Sequence, residues 1–309
     1  MIHLHGQSHY SLLNGIGSPE RILNKAKELG MNAIGISDLG AMYGGLEFYE
    51  KSLKAGIKAI IGVEICLVNS ISKQEINEPI TNIVLIAKDV IGYQNLLRIV
   101  SIANLDGYKD RARVDYDVLE KYKDGLLTII GGINSKIAHM HKMKEKDEIV
   151  IDFLDKLKAI LGEDNVYLEL IAQDENKIKA VYEINHYIKK LADKTQTMLT
   201  LGTDFHYINK EEKKAFEALN CIREGVELSL NTETILGQHH ILNEDEVIKI
   251  MKKNNYDEEF VNSLIGNNEK VAEKINLKIP LGQLLFPKYE SPEYIIKMYD
   301  KVKDGLELE

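Results

Sequence analysis

Short apolar runs recur along this chain, and a helix-like segment follows nearly every one. That alternation constrains the fold more than any other feature. Residues 33–36, 59–63, 83–87, 126–130, 166–170 and 198–201 each read as short buried strands. Between them lie helical patterns. Ser18-Pro19-Glu20 places an N-cap, a proline at the first helical position and an acid in the first turn. Ile22, Leu23, Ala26 and Leu29 then recur at helical spacing, and Gly30 ends the element. A second helix runs through Leu46, Tyr49 and Leu53 to a stop at Gly56, and further helices are expected over 92–103, 149–160 and 175–192. Parallel strands need crossover connections, so roughly six or seven such units in succession predict a parallel sheet wound by helices, closed into a barrel.

Two stretches between these units are polar. Residues 70–80, with Pro79, read as an exposed loop, and 136–148, rich in lysine with His139 and His141, as a solvated surface. After Tyr207 the pattern changes. Residues 211–280 are mostly helical, with strand-like pieces near Ile235 and at 240–242, and Pro280 and Pro287 punctuate a link to a last helix near 292–305. A chain of 309 residues with 44% hydrophobic content suits a soluble globular protein. No apolar run has the length of a membrane span and no signal peptide precedes the first strand, so the expected location is the cytoplasm. Cys66 and Cys221, each flanked by apolar residues, are too few for a disulfide framework and read as small buried hydrophobes. The net charge of −9, with no dense lysine and arginine stripe, argues against a main phosphate-binding track.

In a strand-and-helix barrel the chemistry sits where the strands end. His5, Asp38, Glu64, Asp204 and His206 fall at such ends. In the opening His3-Leu4-His5-Gly6-Gln7-Ser8-His9, alternate side chains of a strand would share one face and suit a first-row metal. The competing reading of that stretch is a solvated polar strand face.

Several stretches carry a resemblance. HLHGQSHYSLLNG, GISDLGAMYGGLEFYEKSLKAGIKAIIGVEI, NIVLIAKDVIGYQNLLRIVS, YLEL and GTDFHY, in this order, resemble the PHP domain that opens the alpha subunit of bacterial DNA polymerase III. AFEALNCIREG and the tail to LFPKY resemble the same subunit. The resemblance implies an α/β fold, a distorted seven-stranded (β/α) barrel, followed by a mostly helical tail leading toward a polymerase palm. It implies a barrel core over 1–210, a helical remainder of the PHP region over 211–285, and a linker with the start of the polymerase region over 286–309, where Leu308-Glu309 reads as a cloning scar.

In that family a full metal centre holds about three ions on nine His, Asp, Glu or Cys ligands, a set suited to phosphoester hydrolysis. Carried over position by position, His5, Glu64, Asp204 and His206 are kept. Gln7, Asn14, Leu39, Asn82 and Gly132 replace the other five ligands. Gln and Asn are poor substitutes for imidazole or carboxylate, and Leu and Gly offer no side-chain donor. His3 and His9 read as polar residues at the rim. The expectation is a degenerate centre with no tightly bound cofactor, at most one weak Zn or Mn ion on His5, Glu64, Asp204 and His206, and no catalytic residue. Without metal, the clustered side chains should satisfy one another, with Glu64 paired to a histidinium from His5 or His206.

The implied role is that of a structural and docking domain, inactive alone, in a DNA-directed DNA polymerase that uses Mg. The implied partners are the rest of the alpha subunit, a proofreading exonuclease, and DNA and the sliding clamp through the parent protein, with no membrane. The alternatives are a metal-dependent PHP phosphoesterase or 3′–5′ exonuclease, and an interaction module with no parent polymerase.

Overall fold

The computed structural model describes residues 1–72, 79–227, 237–282 and 293–306; the expectations placed on Ile235, Pro287, LFPKY and Leu308-Glu309 lie outside them. Seven strands form one sheet: β1 (Ala33–Leu39), β2 (Lys58–Leu67), β3 (Asn82–Ala87), β4 (Arg113–Val114), β5 (Leu126–Gly131), β6 (Val166–Ile171) and β7 (Leu199–Gly202). Their order is β1-β2-β3-β5-β6-β7, with β4 paired to β2 off that path. The architecture is the expected α/β one, but the sheet is mixed rather than parallel. β3 runs antiparallel to both β2 and β5, while β1–β2, β2–β4, β5–β6 and β6–β7 are parallel. Among the described residues no helix lies between β2 and β3, and an antiparallel neighbour needs none.

The expected first strand is not one. Residues 1–8 have no regular structure, yet they close the sheet. Gly35 N donates to His3 O (2.8 Å) and Ser37 N to Gly6 O (2.7 Å) on the β1 side, and Gln7 N donates to Phe205 O (2.9 Å) just past β7. The irregular segment therefore bridges the two edges of a curled sheet. Gly6 permits it: a Cβ there would lie 2.1 Å from the Phe205 ring.

Helices alternate with the strands: α1 (Pro19–Glu28), α2 (Gly45–Ala55), α3 (Val90–Leu105), α4 (Tyr116–Lys121), α5 (Lys136–Lys142), α6 (Asp147–Leu161) and α7 (Lys179–Thr195). Ser18 caps α1 by accepting from Arg21 N, and Gly56 in the left-handed region (φ 71°) stops α2, as the sequence indicated. The lysine-rich stretch contains a short helix, α5, where only a solvated surface was expected. Ser135 caps it, Ile137 and Met140 anchor it, and His141 stacks on Tyr187 of α7 at 4.2 Å. β4 and α4 were not anticipated either. The strands are apolar on both faces because helices cover the sheet: Ile34, Ile60, Leu85, Ile86, Leu127, Leu168 and Leu201 are all fully buried.

Beyond β7 come α8 (Lys213–Glu224), α9 (Glu244–Lys253) and α10 (Glu258–Glu273). α10 packs on β7. Its buried Asn268 donates to Ile2 O (2.9 Å) and Leu201 O (2.7 Å) and accepts from Leu201 N (3.0 Å). Met1–Lys278 forms one compact unit; Ile279–Glu309 forms another, whose described residues include a helix, α11 (Glu293–Leu306). No helix among the described residues is long and apolar enough to cross a membrane.

Candidate metal centre

All nine positions carried over by resemblance line a single cleft of about 1010 Å3: His5, Gln7, Asn14, Leu39, Glu64, Asn82, Gly132, Asp204 and His206. Their placement follows from the sheet. Leu39 ends β1 and is in register with Glu64 of β2, Asn82 opens the antiparallel β3, and Gly132 follows β5. The irregular N-terminal segment supplies His5 and Gln7, and the turn after β7 supplies Asp204 and His206. Asp204 sits at φ 49°, a left-handed conformation that Asp adopts more readily than most residues.

The cluster divides into two halves. In the first, Glu64 accepts from Gln7 Nε2 on one oxygen and from Asn82 Nδ2 on the other, both at 2.7 Å. Asn14 Nδ2 donates onward to Gln7 Oε1 (2.5 Å), and Arg223 Nη1 donates to Asn14 Oδ1. Two of the amides that replaced ligands therefore donate directly to a remaining carboxylate. Burial, and then the Asp204 charge, raise the Glu64 carboxyl above the usual carboxylate range; Asn82 opposes this.

The expected pairing of Glu64 with a histidinium from His5 or His206 does not form: both Glu64 oxygens accept from amides, and His5 pairs elsewhere. Its Nε2 lies 2.8 and 3.0 Å from the two oxygens of Glu169 on β6. Burial opposes charge on this imidazole, but the Glu169 carboxylate outweighs burial and raises the His5 pKa to about 9. Glu169 is 2% exposed, and Gly202 on β7 makes room for it, since a Cβ there would lie 2.3 Å from its carboxyl carbon. The sequence reading missed this residue. Its signal was an acid inside the apolar run Tyr-Leu-Glu-Leu, where an unpaired charge is not tolerated.

In the second half, Asp204, His206 and His239 offer ligand atoms that all lie within 4.8 Å of one another. His206 Nδ1 donates to Asn14 O (2.6 Å), and its Nε2 is 3.3 Å from Asp204 Oδ1. His239 Nδ1 is 3.0 Å from Asp204 O. Burial would raise Asp204, but the two imidazoles hold it well below the usual carboxylate range; burial would lower His206, but Asp204 raises it. His239 was also missed. It stands in the His239-His240 pair after a helical stretch, with no spacing that ties it to the strand ends.

His3 is not at the rim. It is 1% exposed, its Nε2 donates to Leu242 O (2.9 Å), and its Nδ1 accepts from Thr203 Oγ1 (2.8 Å). Burial lowers its pKa to about 4. His9 is exposed and stacks on Tyr10. Asp38 is buried beside the cleft, accepting from Ser8 N and from the Ser8 and Ser11 hydroxyls, and burial raises its carboxyl despite these bonds. A full nine-ligand centre does not fit these residues: five positions lack a donor of the needed kind, Glu64 is held by two amides, and His5 is tied to Glu169.

A curled α/β sheet thus gathers carboxylates and imidazoles at one cleft, three of which could hold a metal ion. The chain belongs to the PHP domain family, which matches residues 3–173. DNA polymerase III subunit alpha of Borreliella burgdorferi is 32% identical over 303 residues, which cover 94% of this chain and 25% of that protein. The subunit of the same name from Aquifex aeolicus is 34% identical over 235 residues, 72% of this chain and 20% of that protein. The chain thus spans about a quarter of the length of these relatives. Among solved structures, an amidohydrolase from Chromobacterium violaceum with bound sulfate and no metal has 14% identity and a TM-score of 0.45, over 67% of this chain and 87% of that one.

Proposed function

We propose that this chain is the N-terminal PHP region of a DNA polymerase III alpha subunit and serves that protein as a structural and docking domain. One observation supports this above the rest. Similarity to polymerase subunits covers 94% of the chain, including helices past Tyr207 that the PHP match over 3–173 does not reach. A free-standing phosphoesterase leaves those helices unexplained. The proposed organisation is a barrel core over 1–210, a helical remainder over 211–285 and the start of the polymerase region over 286–309. The parent protein adds deoxynucleotides to a primer with Mg by two-metal phosphoryl transfer in the cytoplasm, and meets DNA and the sliding clamp outside this region. A proofreading exonuclease is the proposed docking partner here.

The test is the reading frame beyond codon 309. Continuation into a palm with paired catalytic aspartates is expected, and a stop codon there overturns the reading. The cleft itself should not hydrolyse phosphoesters. Two-metal hydrolysis clamps the attacking and leaving oxygens between ions, and on one side of this cleft amides occupy the remaining carboxylate. Labelled single-stranded DNA should survive incubation with the chain and Mn; cleavage abolished by Asp204→Asn would give the cleft a hydrolytic role instead.

A further inference from the structure

The two histidines of the second half share a feature the rest of the cluster lacks. His206 and His239 each direct Nδ1 at a main-chain carbonyl oxygen, Asn14 O at 2.6 Å and Asp204 O at 3.0 Å. A histidine that binds metal through Nε2 characteristically donates its other ring N–H to a carbonyl or carboxylate, which fixes the tautomer and aims the lone pair. Asp204 adds a carboxylate whose Oδ1 is 3.3 Å from His206 Nε2 and whose Oδ2 is 3.8 Å from His239 Nδ1, and one ligand atom from each of the three residues, a ring nitrogen in the histidines, lies within 4.8 Å of the others. Two imidazoles and one carboxylate make the donor set of a tetrahedral first-row ion with one position left for water. The other half cannot share such an ion on the same terms. His5 is held by both oxygens of Glu169, and Glu64 by Gln7 and Asn82.

We propose that the centre is half converted: one divalent first-row ion binds Asp204, His206 and His239, with His239 as a ligand gained outside the inherited set, while the half around Glu64 and His5 holds itself together without metal. This rests on the chain's membership of the PHP family and not on its assignment to a polymerase, so the reading-frame test leaves it untouched. His239 arrives from the segment that follows α8, and it is tied to the turn after β7 by main-chain bonds: His206 N and Tyr207 N both donate to His239 O, at 2.7 and 3.1 Å. That coupling places the new ligand beside two old ones.

Co2+ is the probe, titrated into the chelator-stripped chain and read by its d–d absorption and by binding calorimetry. One ion per chain in a low-coordinate site is expected. His239→Gln should weaken binding at least about tenfold, the lower bound for losing even a supporting partner. Glu64→Gln and His5→Gln should each weaken binding less than His239→Gln does, because neither residue is a ligand here. His239→Cys keeps a ligand and should add a sulfur-to-cobalt charge-transfer band in the near ultraviolet, which also covers the case in which His239→Gln fails to fold. Binding lost in Glu64→Gln but kept in His239→Gln overturns the proposal, as does no binding at millimolar Co2+ or a folded His239→Cys variant with no such band.

Discussion

Each imidazole in this cluster is defined by its partner rather than by its place in the sequence. His3 and His5 are two residues apart, yet one is held neutral by burial and the other is pushed up to about 9 by Glu169. The unfolded chain protonates His3 near pH 6.5, whereas the folded chain does so only at about 4. Folded-state stability is therefore intact above that window and falls as pH drops through it, by about 3 kcal/mol in all at roughly 1.4 kcal/mol per unit. Urea unfolding of the parent and His3→Gln at pH 7 and pH 4 isolates this loss; equal losses in both would refute it. The His5–Glu169 pair predicts strong coupling. His5→Ala strands a buried carboxylate and should cost about 3–5 kcal/mol, and the double variant with Glu169→Gln should cost less than the sum of the singles. Additive costs would mean the two groups do not support each other.

At the scale of elements, Asn268 matters more than its neutral side chain suggests. From α10 it satisfies both main-chain groups of Leu201 on β7 and the carbonyl of Ile2 in the closing segment. Asn268→Ala would leave those buried groups unpaired, at ~1–3 kcal/mol for each. A drop in melting temperature, with faster amide exchange at Leu201 than in β3, is expected. Unchanged exchange at Leu201 would show that water replaces the side chain without cost. β3 is the second element-scale feature: it pairs antiparallel with both β2 and β5, where the alternation of strands and helices predicts parallel neighbours.

For the whole molecule, the described helices past Tyr207, up to Lys278, form one compact unit with the sheet. A fragment of residues 1–210 would lack α10 and expose the face of β7 and the closing segment that α10 covers. It should therefore show helical far-ultraviolet circular dichroism but weak near-ultraviolet signals and strong dye binding, as loosely packed states do. A sharp cooperative melt equal to that of the full chain would show that the sheet folds without these helices.

The strand and helix periods, the Ser18 cap and the Gly56 stop lie in local sequence, and so the α/β alternation was legible without coordinates. The cleft was legible in part. The positions of His5, Glu64, Asp204 and His206 as kept ligands, and of the residues replacing lost ones, follow from the family resemblance, and all of them line one cleft. Glu169 and His239 were not legible, nor was the choice His5 makes between Glu169 and Glu64. A hydrogen bond is decided by ångström-scale approach between groups 164 residues apart in the chain, and no periodicity encodes that distance. The antiparallel β3 and the irregular closing segment belong to the same category. Sequence determined which residues would be strands and which polar groups would meet at their ends; only the curl of the sheet, set by its mixed pairing and closed by residues 3–7, decided which of those groups would face each other.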